Sequence, residues 1–261
     1  MNLEIAQLVA LVTHGNTYLM SKPNTQPPEI THDLRVFETI KRIKFIEKKG
    51  PLEKAQTQLS DGTAGWYRYL KDHKVRRLRI ITIDWSKERP DLPAVMASAF
   101  AGCGNWAILS EGTKADTVWF PRYLDTGKDE ALTFVGTQLD KRFPEGSTDL
   151  DAAEKNLKTA LTNIKDYAMK EKVGDNWVGI FTRALEILDS DEPSRAFITE
   201  LLPESGYGHK AYRLLQAASE AWVFGGMGSW NDMGGDERYS TVTDALYNAM
   251  IDGIITATYS I

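Results

Sequence analysis

Apolar residues near the amino terminus recur with a helical period. Ile5, Leu8, Val9 and Val12 share one face of a helix predicted from Leu3 to about Val12, and His14-Gly15-Asn16 reads as its end, since glycine or asparagine takes a left-handed cap. SKPNTQPPE, from Ser21 to Glu29, is a loop, because its three prolines forbid regular structure. From Asp33 to Lys49 the period is ambiguous: Val36, Ile40 and Ile43 suit a helix, while the alternation in TIKRIKFI suits a strand, which is the expectation after Glu38. GTAGWYRYLKDH returns to a short helix with Trp66, Tyr69 and Leu70 inward, and VRRLRIITIDW is a strand of β-branched residues ending in Asp-Trp. AVMASAF, NWAILSEG, DTVWFPRYL and ALTFVG follow, each short, apolar and bounded by glycine or a turn cluster. That rhythm predicts an antiparallel meander, although Pro93 could also open AVMASAF as a helix.

Beyond Phe143 the period is helical throughout. PEGSTD reads as a turn, and Ala153, Leu157, Leu161, Ile164 and Ala168 mark a helix opened by a Thr148/Asp151 capping box. Trp177, Phe181, Leu185 and Leu188 mark a second helix, and SDEPSRAFITELL begins a third. Tyr212, Leu215, Ala218 and Trp222 mark a fourth. The last is expected to start at Ser240 or Thr241, with Thr241 and Asp244 as its capping box, and to be buried on most sides. The expected class is α+β. Residues 1–143 form a mixed half around a largely antiparallel sheet, and residues 144–261 form a helical half packed on it. No repeat of solenoid length is visible.

Composition narrows the function classes. The 42% hydrophobic and 26% charged shares are those of a globular chain, and a net charge of −5 disfavours non-specific nucleic-acid binding. A single cysteine, Cys103, excludes an intramolecular disulfide and paired-cysteine zinc sites. The amino terminus lacks the basic start of a signal peptide, and no apolar run is long enough to span a bilayer, so a cytoplasmic location and no membrane are expected. His14, His32, His73 and His209 belong to no metal or catalytic motif and read as surface or capping residues. Cys103, between two glycines in AGCG, reads as a tight turn rather than a reactive thiol.

GGMGSWNDMGG, from Gly225 to Gly235, is the segment most in need of a role. As a phosphate cradle it lacks lysine and a following helix N-terminus, and Asp232, Asp236 and Glu237 would repel the anion. As a metal loop its Asn231, Asp232, Asp236 and Glu237 have the wrong spacing for an EF-hand. It is then either a connector turned by glycines or a docking surface. Trp222, Phe224, Met227, Trp230 and Met233 are many large apolar groups for a connector, and glycines at 225, 226 and 228 would let a partner approach closely. The function expected on this basis is a non-catalytic cytosolic binding protein, such as a regulatory subunit or acidic inhibitor. It would contact a protein partner through Trp222, Phe224, Gly225, Gly226, Met227, Gly228, Trp230, Asn231 and Asp232.

The alternative is a metal-dependent hydrolase or nuclease. Asp84 ends a predicted strand, Glu111 and Asp116 follow on neighbouring segments, and the three carboxylates would hold Mg²⁺ with Lys87 stabilising charge. KVRRLR, from Lys74 to Arg79, reads as a solvated strand entrance, with a phosphate or nucleic-acid contact as its second reading.

Overall fold

The first helix, α1 (Leu3–Leu19), is the axle of the molecule. Every residue from Ile5 to Thr13 is buried, because α1 lies against the sheet on one side and helices on the others. It does not stop at Gly15. A Cβ there would sit 2.5 Å from the Leu78 side chain and 2.7 Å from the Tyr67 ring, so the glycine serves close approach rather than a left-handed cap. Asn16 is likewise inside the helix. Its amide donates to Leu78 O at 2.9 Å and accepts from Leu78 N at 2.7 Å, so one side chain pairs both outward groups of an edge strand. Asn16→Ala would strand a buried N–H and C=O together, and an unfolding free energy lower by about 2–3 kcal/mol is expected in urea titration.

The computed structural model describes residues 1–48, 56–82, 106–125, 130–140, 142–191, 198–203, 205–225 and 228–261. AVMASAF and AGCG lie outside these residues, as does the stretch from Glu192 to Phe197 within SDEPSRAFITELL. Six strands form one sheet: β1 (Arg42–Lys48), β2 (Gln56–Asp61), β3 (Arg77–Thr82), β4 (Trp106–Glu111), β5 (Thr117–Asp125) and β6 (Glu130–Gln138). Their order is β2-β1-β6-β5-β4-β3. The run from β3 to β6 is an antiparallel meander, and β1 and β2 form an antiparallel pair. The two units join through β1 and β6, which run parallel with Phe45 opposite Phe134. The α+β class holds, with a mixed sheet where alternation alone predicted a largely antiparallel one.

Helix α2 (Thr63–Asp72) connects the two units across one sheet face. There Trp66 stacks on Phe45 with centroids 4.1 Å apart, Phe45 stacks on Phe134 at 5.3 Å, and Trp119 meets Trp66 edge-on at 5.5 Å. These offset and perpendicular contacts hold the α2 face of the sheet together.

The carboxy-terminal half supplies α3 (Leu150–Lys170), α4 (Asp175–Asp189), α5 (Ile198–Leu201), α6 (His209–Glu220) and α7 (Glu237–Tyr259). Asp149 caps α3 by accepting from Ala152 N at 2.9 Å, in place of the expected Thr148/Asp151 box. Asp236 caps α7, accepting from Tyr239 N at 2.9 Å, so that helix begins one turn earlier than Ser240. α7 packs along α3 and α6 and reaches β3, while α1 touches α5 and α7. Among the described residues, no helix is long and apolar enough to cross a membrane.

Candidate functional site

The glycine-rich segment folds back into the protein. Helix α6 ends at Glu220, and the chain turns through Gly225, Gly228 and Gly234, whose φ values of 103°, 78° and 62° are left-handed. Nothing lies within 4 Å of where a Cβ would stand at any of the three, so they serve the turn alone. A short 3-10 turn, Trp230–Asp232, sits in the middle, with Asp232 accepting from the backbone N–H groups of Gly228 and Ser229. Trp230 is 0% exposed. It stacks on Tyr239 at 5.5 Å and meets Trp177 and Phe181 edge-on at 5.6 and 5.4 Å. Its indole N–H donates to Thr243 Oγ1 at 2.9 Å, and its carbonyl accepts from the Tyr239 hydroxyl.

Phe224 is also buried, edge-on to Tyr247 at 5.4 Å. Trp222 is half-buried, its indole N–H donating to Phe224 O at 2.9 Å. The described rings of the segment are therefore covered by this chain's own α3, α4 and α7. Asn231 is half-buried, Gly225, Gly228 and Asp232 are exposed, and Met233 is 43% exposed. Gly226 and Met227 lie outside the described residues.

The acids of the metal reading are not brought together. Asp84 and Lys87 lie outside the described residues. Glu111 is bound by Arg79, with Nε 3.6 Å from Oε1, and accepts from the Tyr259 hydroxyl at 3.0 and 3.1 Å. Arg79 is buried in that network and donates also to Pro144 O, so KVRRLR is not a uniformly solvated entrance. Asp116 is 2% exposed and accepts from Phe143 N at 2.8 Å, a contact that fixes the strap following β6. Among the described residues, no three His, Cys, Asp or Glu side chains are grouped to hold a metal ion.

The surface carries three clefts of interest. In one of about 260 Å³, the Glu29 carboxylate already occupies the N-terminus of α2, accepting from Thr63 N at 2.8 Å and Ala64 N at 3.0 Å. In one of about 560 Å³, Lys71 is committed to Tyr18 O, Ser21 O and Ser21 Oγ, each at 3.1 Å. The third, about 440 Å³, opens between the C-terminal end of α2 and the end of the sheet, and its polar groups converge without cancelling one another.

That cleft is built by three separate segments. Tyr69 and His73, one helical turn apart on α2, form one wall with their rings 4.0 Å apart. Glu47 projects from β1 on the α2 face, and the Tyr69 hydroxyl donates to its Oε2 at 3.1 Å. Burial, and then the Glu47 carboxylate, push the Tyr69 phenol up to about 12, so it keeps its proton at neutral pH. His73 Nδ1 donates to Tyr69 O at 2.8 Å, which leaves Nε2 as the second polar atom of the ring. Trp119 forms the floor. Its indole N–H donates to Ser110 Oγ at 3.0 Å, and the Ser110 hydroxyl in turn reaches Thr117 O at 3.3 Å. The indole lies across Gly136, where a Cβ would stand 2.6 Å from the ring, so only glycine permits this floor. The far wall is the turn from Gly112 to Ala115, which carries Thr113 and Lys114. Of the lining residues, the sequence pattern singled out Tyr69 and Leu70 as inward; the assembly with Glu47 and Lys114 carried no local signal.

Comparison with protein-family models, with curated proteins and with solved structures finds no match for the chain.

Proposed function

We propose that this protein is a non-catalytic cytosolic binding protein whose ligand enters the cleft between α2 and the sheet. The observation that carries the reading is the convergence of Glu47, Tyr69, His73, Thr113, Lys114 and Gln138 on one concavity of about 440 Å³ with an indole floor. A concave site with an apolar base and a few placed polar groups is the usual form of a small-ligand pocket. Binding is favoured over chemistry by the state of those groups. The Ser110 hydroxyl is engaged as donor and acceptor, and Tyr69 is held as a neutral phenol, so neither serves as nucleophile or base.

Thermal unfolding against a collection of small polar compounds tests the reading. A ligand at about a hundredfold its Kd stabilises by ~2.7 kcal/mol, and a rise of roughly 5–10 °C in Tm is expected for a chain of this size. Gln138 is exposed at the cleft rim. Gln138→Trp fills the opening and is expected to abolish the rise while leaving the far-ultraviolet spectrum unchanged. A rise that survives this substitution would place the ligand elsewhere.

A protein partner is the second reading, favoured by Met233. That side chain is 43% exposed beside Gly234 and Gly235, and Asp232, Asp236 and Glu237, its near neighbours in the chain, are exposed as well. A partner suited to this stretch offers a small apolar socket edged by basic groups. The loop would then act through the edge it displays, with Trp230 as the internal anchor that keeps the edge in place.

A further inference from the structure

Resting on the α2 cleft as the ligand site, we infer that its ligand is a small zwitterion with an ammonium group and a carboxylate at separate ends, of dipeptide size. The cleft places opposite charges on opposite walls: Glu47 on β1 and Lys114 in the turn joining β4 to β5. Glu47 stands opposite Gly136 of β6, and Gly136 stands opposite Trp119 of β5, so β6 and β5 separate the carboxylate from the lysine. Strands are spaced by about 4.8 Å, so the two backbones lie at least roughly 10 Å apart across the sheet, with Lys114 displaced further along the strand axis, beyond Thr117. Among the described residues, neither group is in a salt bridge.

A simple cation would satisfy Glu47 and leave Lys114 facing it across the cleft. A simple anion, including a phosphate, would meet Glu47 as a like charge. Only a ligand carrying both signs, in the matching order, gains at both walls. The Tyr69 hydroxyl fixes the Glu47 carboxylate, so the ammonium meets an oriented acceptor rather than a freely rotating one. Trp119, Leu70 and Val75 supply the apolar part of the lining, which suits an aliphatic side chain. A volume of about 440 Å³ lies at the small end of ligand pockets, which span roughly 300–1,000 Å³, and it excludes a long peptide as the fully enclosed ligand.

The test uses the whole protein and four probes: the dipeptide alanyl-leucine, its N-acetyl form, its amide, and leucine. Calorimetric titration is expected to show binding of alanyl-leucine and markedly weaker binding of leucine, whose two charges sit on one carbon and cannot reach both walls. Loss of either terminal charge from the dipeptide should weaken binding by about tenfold or more. In Glu47→Gln the free and N-acetyl dipeptides should bind alike, and in Lys114→Gln the acid and the amide should bind alike. Equal binding of all forms to the unmodified protein overturns the zwitterion assignment, as does a compound that Gln138→Trp blocks but that carries a single charge. Binding of alanyl-leucine that persists in Gln138→Trp overturns the cleft itself.

Discussion

Trp230→Ala is expected to lower the unfolding free energy by about 4 kcal/mol and Tm by roughly 10 °C. The side chain is wholly buried, so its removal deletes transfer energy and leaves a cavity between Trp177, Phe181 and Tyr239 that the helices cannot fully close. It also removes the donor to Thr243 Oγ1. Trp230→Phe keeps most of the apolar volume and loses that donor, so a cost of about 1–2 kcal/mol is expected from it. The two variants together separate packing from hydrogen bonding. Limited proteolysis supplies a local readout. With its anchor gone, the segment from Gly225 to Gly235 should be cleaved well below the temperature at which the remaining helices melt. A change of under about 1 kcal/mol in Trp230→Ala would contradict the packing and return the indole to the surface.

This prediction also shows why the sequence misplaced the ring. Five large apolar side chains around a glycine cluster read as groups for a partner to cover, whereas Met233 is exposed and Trp230 and Phe224 are buried within the chain itself. What covers them is decided by Tyr167, Trp177 and Phe181 on α3 and α4, about fifty residues earlier in the chain, and by Tyr239 and Tyr247 on α7. A local reading has no access to such pairings. The same limit applies to the sheet. Period-two alternation identified β1, yet strand direction depends on the pairing of Phe45 with Phe134, far apart in the chain. β2 carries no such signal in the sequence. QTQLSD lies at the sheet edge with Thr57, Gln58 and Asp61 exposed, so it has no apolar alternation to detect.

The helices were more legible, because their apolar periods extend over several turns and the inner residues of α3, α4, α6 and α7 largely follow them. Their ends were less so. Asn16 carries a strong stop signal in isolation, and only its pairing with Leu78 explains why it stays inside α1. The cleft was the least legible feature. Glu47 and Lys114 are ordinary surface-type residues in their own segments, Tyr69 reads only as an inward helix residue, and the three acquire a shared environment only when β1, α2 and the β4–β5 turn meet.

Glu111→Ala is expected to be comparably destructive, at about 3–5 kcal/mol, for an electrostatic reason. The Arg79 and Glu111 side chains retain only 8% and 11% of their exposure, so removing the carboxylate leaves a largely desolvated guanidinium without its counter-ion. The loss spreads to the Tyr259 hydroxyl, which donates to Glu111, and so to the end of α7 where it meets β3. Arg77 grips the same region, donating to Tyr259 O at 3.3 Å and Ile261 O at 2.9 Å while its guanidinium lies 4.5 Å from the Tyr259 ring. Removing both charges together should behave differently. Arg79→Met with Glu111→Leu leaves no unpaired ion and is expected to recover most of the loss, because desolvating the pair offsets much of its attraction. A double-mutant cycle in urea measures the difference, with a coupling of at least about 2 kcal/mol expected. The result bears directly on the hydrolase alternative. A carboxylate poised for Mg²⁺ is held away from cations of its own chain, so its replacement relieves repulsion and raises or preserves stability. A stable Glu111→Ala protein would therefore reopen that reading, and a severely destabilised one that the double variant rescues would fix Glu111 as the acid that ties α7 to the sheet.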